Sequence, residues 1–329
     1  MTLGLSTIAG QVLGGWMVHA DLFGLGWRSI FLINVPIGMF AIAAVRCIPE
    51  TRAPQRAALV GMGIALSSTG LTLLLVALIE GPAQGWPGWS LWSLSMAIAL
   101  FALFYQQQER RRVRGGIPLV DMQLLSQRRF ALGAVLVLLV YSTSSSFFLC
   151  FALLMQTGLG LDPLVAGSIF APCSLGFMLA SLAAPRLAAR FGMHAIVVGT
   201  LVYMLSIAEM IVQVRMAGAA LVAVRLMPVL IMVGVGQGFI MTPLLNVVLG
   251  FVDKTQAGMA SGVVSTVQQV GAALGVAVVG ILFGEVLTTG GGTVVQAGQY
   301  ADAFVAGMFY NLGAAMLVCV LLLLLAKTR

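Results

Sequence analysis

The sequence predicts an all-α, polytopic integral membrane protein of about ten transmembrane helices. Three observations carry that prediction. The 329 residues are 60% apolar and only 8% charged, with a mean hydropathy of +1.06, whereas soluble domains carry about 25% charged residues. The apolar residues gather into runs of the length that crosses a bilayer. The basic residues fall between those runs and alternate in number from one connection to the next.

Ten runs bounded by charge or turn clusters read as helices, at about 3–20, 29–47, 58–79, 90–106, 130–155, 164–184, 195–213, 223–249, 258–285 and 303–326. The run at 90–106 is the shortest, and 258–285 is long enough to tilt. Loop charge tests the assignment. With the N-terminus in the cytoplasm, fourteen of the 17 Lys and Arg fall in inner connections and only Arg28, Arg215 and Arg225 in outer ones. One missed span would scramble that bias, so both termini are expected to be cytoplasmic, in a cell (inner) membrane. The longest connection, from Gln107 to Arg129, holds Arg110, Arg111, Arg112 and Arg114. It reads as an orientation signal, and it also suits anionic lipid. The net charge of +7 is thus topological, with no basic patch for nucleic acid.

The 39 glycines suit close helix crossings. In the first span Gly10 and Gly14, with Gly15 beside them, lie one turn apart, and Gly271 and Gly275 repeat the spacing in the ninth. The four cysteines, Cys47, Cys150, Cys173 and Cys319, show neither metal-ligand spacing nor a disulfide framework. No phosphate-binding Gly-x-x-x-x-Gly-Lys-Ser/Thr loop occurs, which excludes a self-contained P-loop pump. No metal or other cofactor and no obligate protein partner is expected.

The stretch from Trp27 to Gly38 opens with an interfacial Trp-Arg pair and then places Asn34 and Pro36 in apolar sequence. Both need partners from neighbouring helices. This stretch resembles the sixth-helix signature of the major facilitator superfamily, in its fourteen-helix drug:proton antiporter branch. Gly10-Gln11-Val12-Leu13-Gly14-Gly15 resembles the fifth-helix antiporter motif, with Gln11 in place of its proline. Ala77 to Gly81, followed by Gly85-Trp86, resembles the outer hairpin of two extra central helices. Pro118 to Asp121, then Leu124-Leu125 and Arg128-Arg129-Phe130, resembles the linker into the C-terminal bundle. Pro185 to Gly192 resembles a cytoplasmic gating loop. Arg190 and Gly192 match it, while Ala189 replaces its acidic residue and removes the carboxylate of a gating salt bridge. Ser261-Gly262 through Thr266, Gln269, Gly271 and Gly275 resembles the eleventh helix of a twelve-helix core.

The resemblance implies a major facilitator fold lacking its first four helices. Residues 1–50 would be the remainder of the N-terminal bundle. Residues 51–129 would be two extra helices with a cytoplasmic linker, and 130–329 a C-terminal six-helix bundle. It also implies proton-coupled export of small amphipathic organic compounds, as in multidrug efflux, with a small-molecule substrate, protons and the lipid bilayer as partners. A chain without the four upstream helices is expected to insert but to be inactive alone. A facilitator for another solute, such as a metabolite or siderophore, is the competing transporter. A membrane scaffold or enzyme is the competing class, and no convergent carboxylates, histidines or nucleophile-base pair support an enzyme.

Transport needs polar side chains facing a cavity, because a lipid-facing one is costly. Gln237, in Gly234-Val235-Gly236-Gln237-Gly238, and Gln269 are the leading substrate-path residues, with Asn246 and Tyr141. Gln268 and Gln269 point about 100° apart, so at most one faces a cavity squarely. Gln11, Asn34 and Asn311 sit among small residues and read as interhelical hydrogen bonds. Ser142 to Ser146 suit a substrate path and bonding within the bundle equally. Glu209 and Glu285 are the best proton-coupling residues, although both fall near outer helix ends. His19 and His194 sit at opposite faces and cannot form one site.

Overall fold

A computed structural model describes residues 28–45, 61–114, 122–253, 256–289 and 297–327, with Val120 and scattered positions before Arg28. Eight of its helices are long and apolar enough to cross a membrane. They are α1 (Gly61–Ala83), α2 (Gly88–Val113), α3 (Arg128–Ala152), α4 (Pro163–Phe191), α5 (Met193–Ala217), α6 (Met227–Leu249), α7 (Ala257–Thr289) and α8 (Ala297–Lys327). Gln11, Gly15, His19 and most of the first expected span lie outside the described residues.

The second expected span, 29–47, is instead two shorter helices, Ser29–Leu32 and Asn34–Val45, separated at Ile33. The break puts Pro36 in a first helical turn, where a missing N–H costs little. The fourth span is longer than the 90–106 expected. Gln106 to Arg112 are all good helix formers. An ion pair one turn apart, Arg112 Nη2 to Glu109 Oε1 at 2.8 Å, supports them. Arg110, Arg111 and Arg112 therefore lie in the last turn of α2, not in a loop. There their charge complements the helix dipole.

Local chemistry sets the ends of the helices. Between α1 and α2 the chain turns through Gly85 at φ 68° and Trp86 at φ 57°. The Trp86 N–H donates to the Gly81 carbonyl at 2.7 Å, and its ring covers Gly81, where a side chain would lie 3.1 Å away. Asp162 caps α4 by accepting from the Leu164 N–H at 2.9 Å, ahead of Pro163 at the first helical position.

Helices α3 to α8 form one packed bundle. α6 runs against α4 and α5, α3 against α7 and α8, and α8 against α5. The α1–α2 hairpin joins the bundle through α1 against α7. The crossings are close because glycines face backbone. A Cβ at Gly234 would overlap the Cys173 carbonyl, and one at Gly238 would lie 2.7 Å from the Phe177 oxygen. On the other side of α6, a Cβ at Gly236 would come within 2.7 Å of the Tyr203 nitrogen. Gly271 and Gly275 meet the backbone of α3 at Leu138 and Ser142. A side chain at Gly10 or Gly14 would meet nothing within 4 Å. Among the described residues, no element lies against that face.

Candidate substrate cavity

A cavity of about 460 Å³ opens between α3, α4 and α6. Each helix gives it one face. Tyr141, Ser144 and Phe148 come from α3, at helical spacing. Phe170, Ser174 and Phe177 line it from α4, with Cys173. Gln237, Met241 and Leu245 line it from α6, with Thr242 and Asn246. The volume is that of a pocket for a drug-sized molecule, and the lining is mostly apolar with a few polar groups, as such pockets require.

The depth of the cavity matters for what it can do. Gln237 lies about 15 Å along α6 from Met227 by helical rise. That is close to the middle of a hydrocarbon layer of roughly 30 Å. Pro172 and Pro243 interrupt the hydrogen-bond ladders of α4 and α6 beside the cavity.

Tyr141, Gln237 and Asn246 thus share one cavity. Gln269 does not join them. It is exposed, and its neighbour Gln268 is the residue that bonds the Tyr141 side chain. The roughly 100° between adjacent residues on a helix explains the difference. Glu209 and Glu285 are exposed and lie outside the lining. Glu209 accepts from Gln213 at 2.9 Å, one turn on. Gly192 ends α4 at φ 58°, and the Arg190 guanidinium lies 5.3 Å from the centre of the Phe191 ring. Among the described residues, no three His, Cys, Asp or Glu side chains gather where a metal ion could sit.

The serine-rich stretch of α3 divides its work. Ser144 lines the cavity. Ser142 Oγ lies 2.5 Å from the Tyr310 hydroxyl of α8, and Thr143 bonds its own helix at Val140, 2.9 Å away. Ser146 accepts from Asn311 Nδ2 at 3.0 Å. Asn311 is wholly buried and also meets the Gly307 carbonyl at 3.1 Å and the Tyr203 hydroxyl at 3.5 Å. Its amide ties α3, α5 and α8 together.

Sequence reasoning missed Ser174 and the rings of Phe148, Phe170 and Phe177. The detectable signal was spacing. Phe170, Ser174 and Phe177 share one helix face, as do Gln237, Met241 and Leu245, but serines and phenylalanines recur on most faces of this chain.

The architecture is that of a helical membrane protein with a drug-sized cavity near mid-depth. Residues 1–276 match the model of the Major Facilitator Superfamily, and the chain belongs to that family. It is 38% identical to a probable actinorhodin transporter of Streptomyces coelicolor, over 85% of this chain and 49% of that protein. It is 29% identical to multidrug resistance protein Stp of Mycobacterium tuberculosis, over 84% of this chain and 50% of that protein. A cephamycin export protein, CmcT of Amycolatopsis lactamdurans, matches at 29% over 95% of the chain and 63% of its own length. The chain spans about half the length of the first two relatives and less than two thirds of the third. Among solved structures, a bacterial homologue of the iron transporter ferroportin in its inward-facing state is similar, with a TM-score of 0.49 and 13% identity over 98% of this chain and 82% of that one.

Proposed function

We propose that this chain serves proton-coupled export of small amphipathic organic compounds. The observation that carries the reading is the mid-depth cavity between α3, α4 and α6, where alternating access needs a substrate site. The names of the three relatives, each a transporter, resistance or export protein, support it. Residues 130–329 act as one bundle, 51–129 as a hairpin with its linker, and 1–50 as the end of another bundle. Among the described residues no carboxylate lines the cavity, so proton coupling falls to groups elsewhere.

Efflux of a fluorescent dye from energised cells measures the activity. Expressed alone, the chain is expected to leave retained dye unchanged; joined to a four-helix upstream segment it is expected to lower retained dye, and a protonophore is expected to abolish the difference. Efflux that survives the protonophore, at unchanged ATP, would remove the proton from the proposal.

Orientation follows from the arginine distribution, with both termini in the cytoplasm and the protein in the cell membrane. Reporters fused after Arg114 and after Arg329 are expected to report cytoplasm, and one at Gly88 the opposite side. If the Gly88 and Arg114 reporters agree, α1 and α2 do not form a transmembrane hairpin.

A further inference from the structure

The polar groups around the cavity divide into two sets. Most are already satisfied inside the protein. Thr242 Oγ1 donates to Ser181 Oγ at 3.0 Å, Asn246 Nδ2 reaches the Thr242 carbonyl at 3.5 Å, and Tyr141 bonds Gln268. Two are not. Ser174 Oγ is buried without a hydrogen-bond partner, and the Gln237 amide, whose side chain also meets Tyr203, keeps at least one of its two N–H groups unpaired, in residues 1% and 6% exposed. Buried polar atoms are nearly always paired, and an exception calls for an explanation.

The two orphans lie at one level of one helix crossing. The Cys173–Gly234 and Phe177–Gly238 contacts bracket them, with Ser174 on α4 and Gln237 on α6 between those contacts. A single bound molecule can therefore meet both. The amide N–H can only donate and the hydroxyl can donate, so a single acceptor satisfies both. Aromatic rings flank the donors. Phe148 and Phe170 lie 4.8 Å apart between centroids, and Phe177 completes the wall. Among the described residues, no lining side chain carries a charge.

Resting on the reading of this cavity as the substrate site, we propose that Gln237 and Ser174 select uncharged aromatic substrates bearing a carbonyl-type acceptor, and discriminate against cations. A planar ring system fits the phenylalanine walls, and its carbonyl oxygen accepts from both donors. A cation would lose its water with no counter-charge to replace it. The rings offer it some cation–π attraction, but the two donors turn their positive ends toward it. Gln237 and Ser174 thus set polarity preference, and the rings set shape.

Three probes of similar size separate these terms: 9-fluorenone, its carbonyl-free analogue fluorene, and the cation N-methylacridinium. Binding is measured by equilibrium dialysis against the chain in lipid nanodiscs, with empty nanodiscs as reference. Fluorenone is expected to bind about tenfold more tightly than fluorene, the scale of one or two neutral hydrogen bonds. It is also expected to bind more tightly than the cation. The double variant Gln237→Leu, Ser174→Ala should erase the difference between fluorenone and fluorene. Equal binding of fluorenone and fluorene to the unaltered chain, or tightest binding of the cation, overturns the proposal. Met241→Trp, which fills the cavity, is expected to abolish binding of all three probes. Leu245→Trp takes its place if the first variant melts early. Unchanged binding in a folded, filled variant overturns the cavity reading itself. Lost binding there, with fluorenone and fluorene equal in the unaltered chain, overturns only the donor assignment.

Discussion

Gly234→Ala is expected to lower the melting temperature of the chain in detergent sharply, and Gly234→Leu to remove most folded protein from the membrane. The reason is backbone proximity. A Cβ at this position of α6 would overlap the Cys173 carbonyl of α4, and neighbouring atoms of α4 lie only 2.8 Å away. A backbone oxygen in a packed helix cannot swing aside, so the helices must separate along their whole crossing. Overpacking of this kind costs about 1–3 kcal/mol, and more where the obstacle is rigid. Separation would also pull Gly238 from Phe177 and widen the cavity. Gly313→Ala is the control, since a Cβ there meets nothing within 4 Å in the interior of α8. It is expected to be neutral or mildly stabilising, because alanine favours helix by roughly 1 kcal/mol. Fluorescence-detected size-exclusion chromatography after a heating series gives both values. Equal melting temperatures for Gly234→Ala and Gly313→Ala would show that α4 and α6 do not cross here.

The membrane class, the α1–α2 hairpin and the six later spans were legible because each rests on composition or on loop charge, which are local properties. The end of α2 was misread because its arginines looked like a loop. Their helix propensity and the Glu109–Arg112 pair keep them helical. The cavity was only partly legible. Gln237, Asn246 and Tyr141 stand out as rare polar residues in apolar helices, and all three line it. Ser174 does not stand out, since a serine in a membrane helix ordinarily bonds its own backbone. Its significance comes from what lies opposite, and that depends on the α4–α6 crossing. Gln268 and Gln269 show the same limit: the sequence says that at most one of them faces a cavity squarely, and only the rotation of α7 against α3 brings Gln268 to Tyr141.

Asn311→Ala is expected to destabilise the bundle by about 1–3 kcal/mol, the range for stranding buried hydrogen-bond partners. Asn311 has no exposed surface, and its amide holds Ser146 Oγ at 3.0 Å on α3 while its carbonyl lies 3.5 Å from the Tyr203 hydroxyl on α5. Removing it takes the amide donor from the Ser146 hydroxyl and leaves a new void, while the Tyr203 hydroxyl keeps the Thr143 and Gln237 side chains. Water cannot easily replace the amide at this depth, so the loss should appear in full as stability. The 3.5 Å contact is long, so most of the effect belongs to the Ser146 bond. Ser146→Ala tests that division in a double-mutant cycle. Interhelical hydrogen bonds in membrane proteins couple by roughly 0.6 kcal/mol on average and 1.7 at most. The pair Asn311→Ala, Ser146→Ala should therefore be less damaging than the sum of its parts by an amount within that range. Thermal denaturation in one detergent, with all four proteins side by side, measures it. Strict additivity would mean that the Asn311–Ser146 contact contributes nothing to holding α3 against α8, and that the amide only fills space.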